Sequence, residues 1–125
     1  KSPTTVTEPA KSRDHTELML KKFGASLTSS KNSVTVNPCN ELFASDIAVP
    51  SDISSAAFFI AAAILVPGSE LVLENVGINP TRDGIIRILE KMGANIEIIN
   101  HTDAFEPVAD ISVSYSKLHS LLKEI

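Results

Sequence analysis

A chain of 125 residues, 43% hydrophobic and 21% charged, is long enough for one ordinary domain and too apolar for global disorder. Eleven basic against fifteen acidic side chains leave a net charge of −4, which argues against nonspecific nucleic-acid binding while allowing a local cationic pocket. The lone Cys39 excludes an internal disulfide framework, fits a reducing compartment and reads as a loop or buried thiol rather than a reactive one.

Thr4 to Thr7 is β-prone and is ended by Pro9. Ser12 suits the N-cap of a helix running to Phe23, with Thr16, Met19, Leu20 and Phe23 on one face and Gly24 as its left-handed stop. Ala25–Ser29 and Ser33–Asn37 read as strands around a Ser30-Lys31-Asn32 turn, with Val34 and Val36 alternating against polar neighbours so that one face is solvated. Pro38 to Glu41 is a loop, and Asp46 to Val49 a short strand ended by Pro50. Asp52 then caps an Ala-rich helix to Val66. Its apolar run, Ala56 to Val66, is well short of the roughly 20 residues of a membrane span, and its nearly uniform apolarity predicts enclosure on all sides.

After the Pro67-Gly68 break, Glu70 to Val76 is a strand. Asn79-Pro80-Thr81 starts a further helix, with Pro80 at its first position. Ile85, Ile88, Leu89 and Met92 form the inward stripe of that helix and Gly93 stops it. Asn95–Ile99 and Asp110–Tyr115 make a strand pair joined by a polar connection, His101 to Val108. Lys117 to Ile125 reads as a terminal helix or the start of another segment.

The two helices echo each other. Arg13-Asp14, Leu20, Lys22 and Gly24-Ala25 recur at the same offset as Arg82-Asp83, Leu89, Lys91 and Gly93-Ala94. Duplication of an α/β unit is the direct reading, and the element order is α-β-β followed by β-α-β-α-β-β. No secretory pattern opens the sequence, so a cytoplasmic setting is the default. An opening strand without a starting Met is what a piece of a longer protein would show.

Arg13 is the most informative charge. A cation just inside a helix start opposes the helix dipole, and a bound phosphate or carboxylate would reverse that sign with help from the first-turn N–H groups. The alternative is a surface ion pair with Asp14 or Glu17, which residue types alone favour. Arg82 stands at the same place in the second copy, where an ion pair with Asp83 at the helix start is the expectation. Asp52, Ser54 and Ser55 read as capping residues, since no histidine is near in sequence to complete a nucleophilic triad. His15, His101 and His119 are dispersed without metal-ligand spacing, and a Gly-rich phosphate loop is absent, so no metal or cofactor is expected.

Ser12-Arg13-Asp14-His15-Thr16-Glu17 with Met19-Leu20 and Phe23-Gly24-Ala25, then Val49-Pro50-Ser51-Asp52-Ile53-Ser54-Ser55-Ala56-Ala57-Phe58-Phe59, then Asn79-Pro80-Thr81-Arg82 through Met92-Gly93-Ala94 together resemble the bacterial 5-enolpyruvylshikimate-3-phosphate synthases. The resemblance runs in order along nearly the whole chain. It implies an α/β (α+β) fold of βαβαββ units, of which this chain would hold about one and a half. Residues 1–46 would end a first globule, and residues 47–125 would hold the crossing strand, the first unit of a second globule and a tail.

The activity implied is transfer of the enolpyruvyl group of phosphoenolpyruvate to the 5-hydroxyl of shikimate 3-phosphate, in the shikimate pathway to aromatic amino acids. The family is the target of glyphosate. Arg13 matches the family's arginine that contacts shikimate 3-phosphate, whereas the phosphoenolpyruvate-binding and catalytic positions have no counterpart here. Those features imply a monomeric parent without cofactor, and a chain that is inactive alone and prone to self-association. Ser51 stands where the family usually has Gly, which implies a less sharp turn into the helix. The rival readings are a UDP-N-acetylglucosamine enolpyruvyl transferase and a noncatalytic βαβαββ repeat module.

Overall fold

The computed structural model describes residues 2–103 and 105–121. The chain divides between Ala48 and Val49 into two compact units, each with a three-stranded antiparallel sheet, the first with one described helix and the second with two.

In the first unit, β1 (Thr4–Thr7), α1 (His15–Lys22), β2 (Leu27–Ser29) and β3 (Ser33–Val36) follow in order, and the sheet runs β1-β3-β2. The register pairs Val6 with Val34, and Val36 with both Thr4 and Leu27. Because side chains alternate across a strand, Val6, Leu27, Val34 and Val36 therefore share one face. The opposite face is polar, with the Thr5 and Thr35 hydroxyls 2.8 Å apart.

Helix α1 starts later than Ser12 would have it. The Ser12 N–H donates to the Glu8 carboxylate at 2.9 Å, so Asp14 becomes the N-cap residue. Of the expected inward stripe, Leu20 and Phe23 are half-buried, while Thr16 and Met19 are exposed. Strands this short cover only part of a helix face.

In the second unit, α2 (Ile53–Leu65), β4 (Glu70–Gly77), α3 (Gly84–Lys91), β5 (Asn95–Asp103) and β6 (Pro107–Ser114) give a sheet ordered β4-β6-β5. Setting α2 aside, both units therefore share β-α-β-β with the third strand in the middle, which is the duplication in structural form. The core comprises Ile53, Ala56, Ile60, Ala63 and Ile64 of α2, Val76 of β4, Ile86 and Leu89 of α3, and Ile111 and Val113 of β6.

Several expectations change here. Residues 46–49 form no strand; Val49 is 81% exposed, Pro50 has no N–H to donate, and pairing shrinks to a parallel bridge between Ser51 and Val76. The second unit thus reads α-β-α-β-β. Ser51 needs no left-handed backbone, so Gly is not required at that turn.

Helix α2 is enclosed on one side only, leaving Phe58 79% and Phe59 59% exposed, because a single sheet face is available to cover it. Helix α3 starts at Gly84 rather than Pro80. The Asn79 carboxamide oxygen accepts from the Thr81 N–H and hydroxyl, and the Asn79 carbonyl from the Arg82 and Asp83 N–H groups, folding Pro80–Asp83 into a turn. Its inward residues are Ile86 and Leu89; Ile85 and Ile88 are exposed, the apolar stripe being wider than the sheet contact. The strands β5 and β6 extend into the supposed connection, and residues 117–121 carry no helix. Residues 122–125 of that expected terminal helix lie outside the described residues. No described helix is long and apolar enough to cross a membrane.

The helix stops hold as expected and repeat in detail. At Gly24 (φ 85°) the Gly24 and Ala25 N–H groups donate to the Lys21 and Leu20 carbonyls; at Gly93 (φ 88°) those of Gly93 and Ala94 donate to Glu90 and Leu89. Both are Schellman closures. In each unit a later segment folds back on the stop, with the Phe43 N–H donating to the Phe23 carbonyl and that of His119 to Met92. A Cβ on Gly24 would lie 2.9 Å from a Phe43 ring carbon, and one on Gly93 2.8 Å from His119 Nδ1. Gly93→Ala should therefore cost about 1–2 kcal/mol from the left-handed backbone alone and loosen the His119 contact. Thermal unfolding checks this; an unchanged midpoint would mean that the stop is not strained by a side chain.

Candidate anion-binding site

The charged residues near the start of α1 sort by partner. Lys11 Nζ lies 3.2 Å from Asp14 Oδ2, so the carboxylate expected to neutralise Arg13 is engaged elsewhere. Among the described residues the Arg13 guanidinium has no hydrogen-bond or ion-pair partner, and the side chain is exposed. It sits two positions before the helix rather than inside it. Leu18 N–H is the first helical donor, bonded to the Asp14 carbonyl at 3.1 Å, and the Asp14 side chain makes no cap hydrogen bond. First-turn N–H groups without intrahelical partners carry partial positive charge.

Arg13 borders a cavity of about 320 Å³. Its lining includes Val6, Val34 and Val36 of the sheet, Lys11, Lys21 and Lys31 beside Arg13, and the carboxylates of Glu8, Asp14 and Glu17. Sequence reasoning found Arg13 and missed these lysines. Adjacency could have suggested Lys11, but Lys31 reaches the cavity only because the β2–β3 turn folds back. Four cations against three carboxylates leave the lining slightly cationic, which suits an anion at Arg13. It contains no assembled nucleophile and base, and no group of three metal-ligating side chains occurs among the described residues. Cys39 is exposed.

The second copy is built differently. Contrary to the expectation, Arg82 does not pair with Asp83, because Asp83 is taken by Arg87 one turn along α3. Arg82 Nη2 instead lies 3.1 Å from Asp52 Oδ1 and donates to Ser54 Oγ at 2.6 Å. The guanidinium thus ties the turn before α3 to the start of α2. Asp52 is the α2 N-cap residue, though its side chain closes no cap hydrogen bond of good geometry. The Ser54 N–H, then the Arg82 charge and the Ser55 N–H and hydroxyl, hold its carboxyl below the ordinary 3.8 against an opposing effect of burial. Equivalent arginines in the repeat therefore have different surroundings, one open and one engaged.

Comparison with known proteins gives a consistent picture. Residues 1–123 match the family EPSP synthase (3-phosphoshikimate 1-carboxyvinyltransferase). The 3-phosphoshikimate 1-carboxyvinyltransferase of Endomicrobium trichonymphae is 59% identical over 116 residues, covering 92% of this chain and 27% of that protein. That of Bacillus subtilis is 53% identical over 119 residues, covering 94% and 28%. The solved structure of EPSP synthase from Acinetobacter baumannii matches with a TM-score of 0.89 at 47% identity, over 93% of this chain and 27% of that one. The chain thus spans about a quarter of the length of these relatives.

The engaged arginine generates a test of its own. A depressed folded-state pKa means that the Asp52 contribution to stability is complete above 3.8 and is lost as pH falls through the lower folded value. Arg82→Met should raise the Asp52 titration midpoint toward the ordinary value, read from the carboxyl carbon shift. An unmoved midpoint would show that the helix N–H groups act without Arg82.

Proposed function

The chain belongs to the EPSP synthase (3-phosphoshikimate 1-carboxyvinyltransferase) family, and from that premise we propose that it is the part of an enolpyruvyl transferase that holds the phosphate of shikimate 3-phosphate. The reaction proposed for the whole protein is a two-stage exchange. The 5-hydroxyl oxygen of shikimate 3-phosphate adds to the central carbon of phosphoenolpyruvate while the methylene carbon takes up a proton. The tetrahedral adduct then loses a proton and expels inorganic phosphate, leaving the enolpyruvyl ether.

Arg13 is assigned the substrate phosphate. The observation that carries this is an arginine just before a helix start, with the adjacent Asp14 paired to Lys11 and its own guanidinium unpartnered among the described residues, beside a cavity that Lys11, Lys21 and Lys31 also line. A guanidinium fork matches a phosphate bidentately and stays charged at any working pH. No catalytic residue is assigned in this chain, which is expected to be inactive by itself. Residues 1–46 are assigned to the end of a first globule, and 47–125 to the crossing and the first unit of a second. A cytoplasmic location and a role as glyphosate target accompany the assignment.

Arg13 closed inside an ion-pair network with no concave surface near it would have favoured the noncatalytic-module reading; its open guanidinium beside a cavity gives that reading no such support. The UDP-N-acetylglucosamine reading loses ground because the similar proteins carry the shikimate name.

In the full-length enzyme, Arg13→Ala should raise KM for shikimate 3-phosphate about 10- to 100-fold, the loss of a charge-assisted hydrogen bond pair, with KM for phosphoenolpyruvate little changed. Unchanged affinity for shikimate 3-phosphate would remove Arg13 from the site. The chain alone should self-associate through apolar surface such as Phe58, Phe59, Leu65 and Val66. Sedimentation velocity should show Phe58→Ser/Phe59→Ser shifting it toward monomer; a strictly monomeric unsubstituted chain at every concentration would contradict this.

A further inference from the structure

Asp110 stands on β6, the central strand of the second sheet, beside two irregularities. The register of β4 against β6 breaks between Leu73 and Val76, and that of β5 against β6 between Ile99 and Thr102. Each break carries an asparagine in the left-handed region, Asn75 at φ 53° and Asn100 at φ 52°. Asparagine tolerates that backbone better than most residues, yet a bulge also removes a backbone group from the ladder and leaves it in need of a partner. The Asp110 carboxylate serves both breaks. Its Oδ1 accepts the Asn75 N–H at 2.8 Å, and its Oδ2 accepts from Asn100 Nδ2 at 2.7 Å.

The β4 bulge is also where the incoming chain attaches. The Ser51 N–H donates to the Asn75 carbonyl at 2.8 Å, the Gly77 N–H returns to the Ser51 carbonyl at 2.9 Å, and the Ser51 hydroxyl reaches the Glu74 carbonyl at 3.3 Å. This is an isolated parallel bridge outside the sheet's strands, and the next residue, Asp52, begins α2. The contacts form one sequence, from the Asp110 carboxylate to the Asn75 peptide, to Ser51, to the α2 start.

We propose that Asp110 is a positioning residue: by holding the Asn75 peptide in its bulge, it fixes where the chain enters the second unit and therefore where α2 begins. A straight β4 would present a different edge at residues 74–77, and Ser51 would lose the carbonyl that receives its N–H. Asn100 braces the same carboxylate from the other side and sets its orientation. The inference concerns the architecture of this unit and is independent of the assignment of Arg13.

Amide hydrogen exchange on the whole chain tests it. Asp110→Ala should speed exchange at Asn75, Ser51 and Gly77 by about tenfold or more over the change at Leu71 and Val113, a ladder pair away from the bulges. Asp110→Val, which removes both acceptors but restores strand propensity, should do the same and guards against loss of fold. Asn100→Ala should raise exchange at Ser51 by less than either. An equal rise at all these amides, or no rise at Ser51 and Gly77, would overturn the proposal. In the unmodified chain, a scalar coupling through the hydrogen bond between the Asn75 amide nitrogen and the Asp110 γ-carbon is expected, and its absence would overturn the proposal without any substitution.

Discussion

The second unit depends on burying one face of a single three-stranded sheet. Ile111 and Val113, on the central strand, are at most 1% exposed, and Ile60 and Ile64 of α2 close over them with no exposure at all. Burial of large aliphatic side chains contributes about 1.5–3 kcal/mol each, more than the exposed ion pairs of this chain can supply. Everything polar in the unit works around that constraint: Asp52 and Arg82 organise the entrance of α2, Asn79 folds the turn before α3, and Gly93 ends α3 so that β5 can return beneath it. The first unit has the same strand order with much less cover. Among the described residues, none in its helix α1 is fully buried.

Duplication therefore preserved topology without preserving electrostatics. The helix stops are equivalent down to their hydrogen bonds, because a left-handed glycine and its two carbonyl acceptors are a local solution that any copy can keep. The helix starts diverged. In the second copy a carboxylate and a serine from α2 occupy the arginine; in the first, the neighbouring Asp14 is held by Lys11. Arg13 is thus left open just before a helix start, while its counterpart Arg82 is engaged.

Much of this was legible in the sequence, and the omissions share a cause. Glycines, prolines and the alternation of Val34 and Val36 act through neighbours a few residues away, so the stops, the hairpin and the existence of every helix through α3 could be read. The starts of α1 and α3 could not be placed by residue type, because Glu8 captures the Ser12 N–H and Asn79 gathers four later donors onto itself. The strand expected at 46–49 and the full enclosure of α2 failed because both depend on neighbours being present. Arg13 was identifiable as a candidate, but its lack of a partner emerged only with the Lys11–Asp14 pair. Arg82 with Asp52, Lys31 at the cavity, and Asp110 between two bulges bring together residues far apart in sequence, with no glycine or motif to announce them.

The central claim is that two arginines in equivalent repeat positions have different tasks, one facing a phosphate and one tying helices together. Titration of the isotope-labelled chain with shikimate 3-phosphate, followed by amide and arginine side-chain shifts, compares both in one sample. The account predicts saturable movement at Ser12–Thr16 and at the Arg13 side chain, with Arg82 and its neighbours unmoved. Movement centred on Arg82, or equal movement at both arginines, would contradict it.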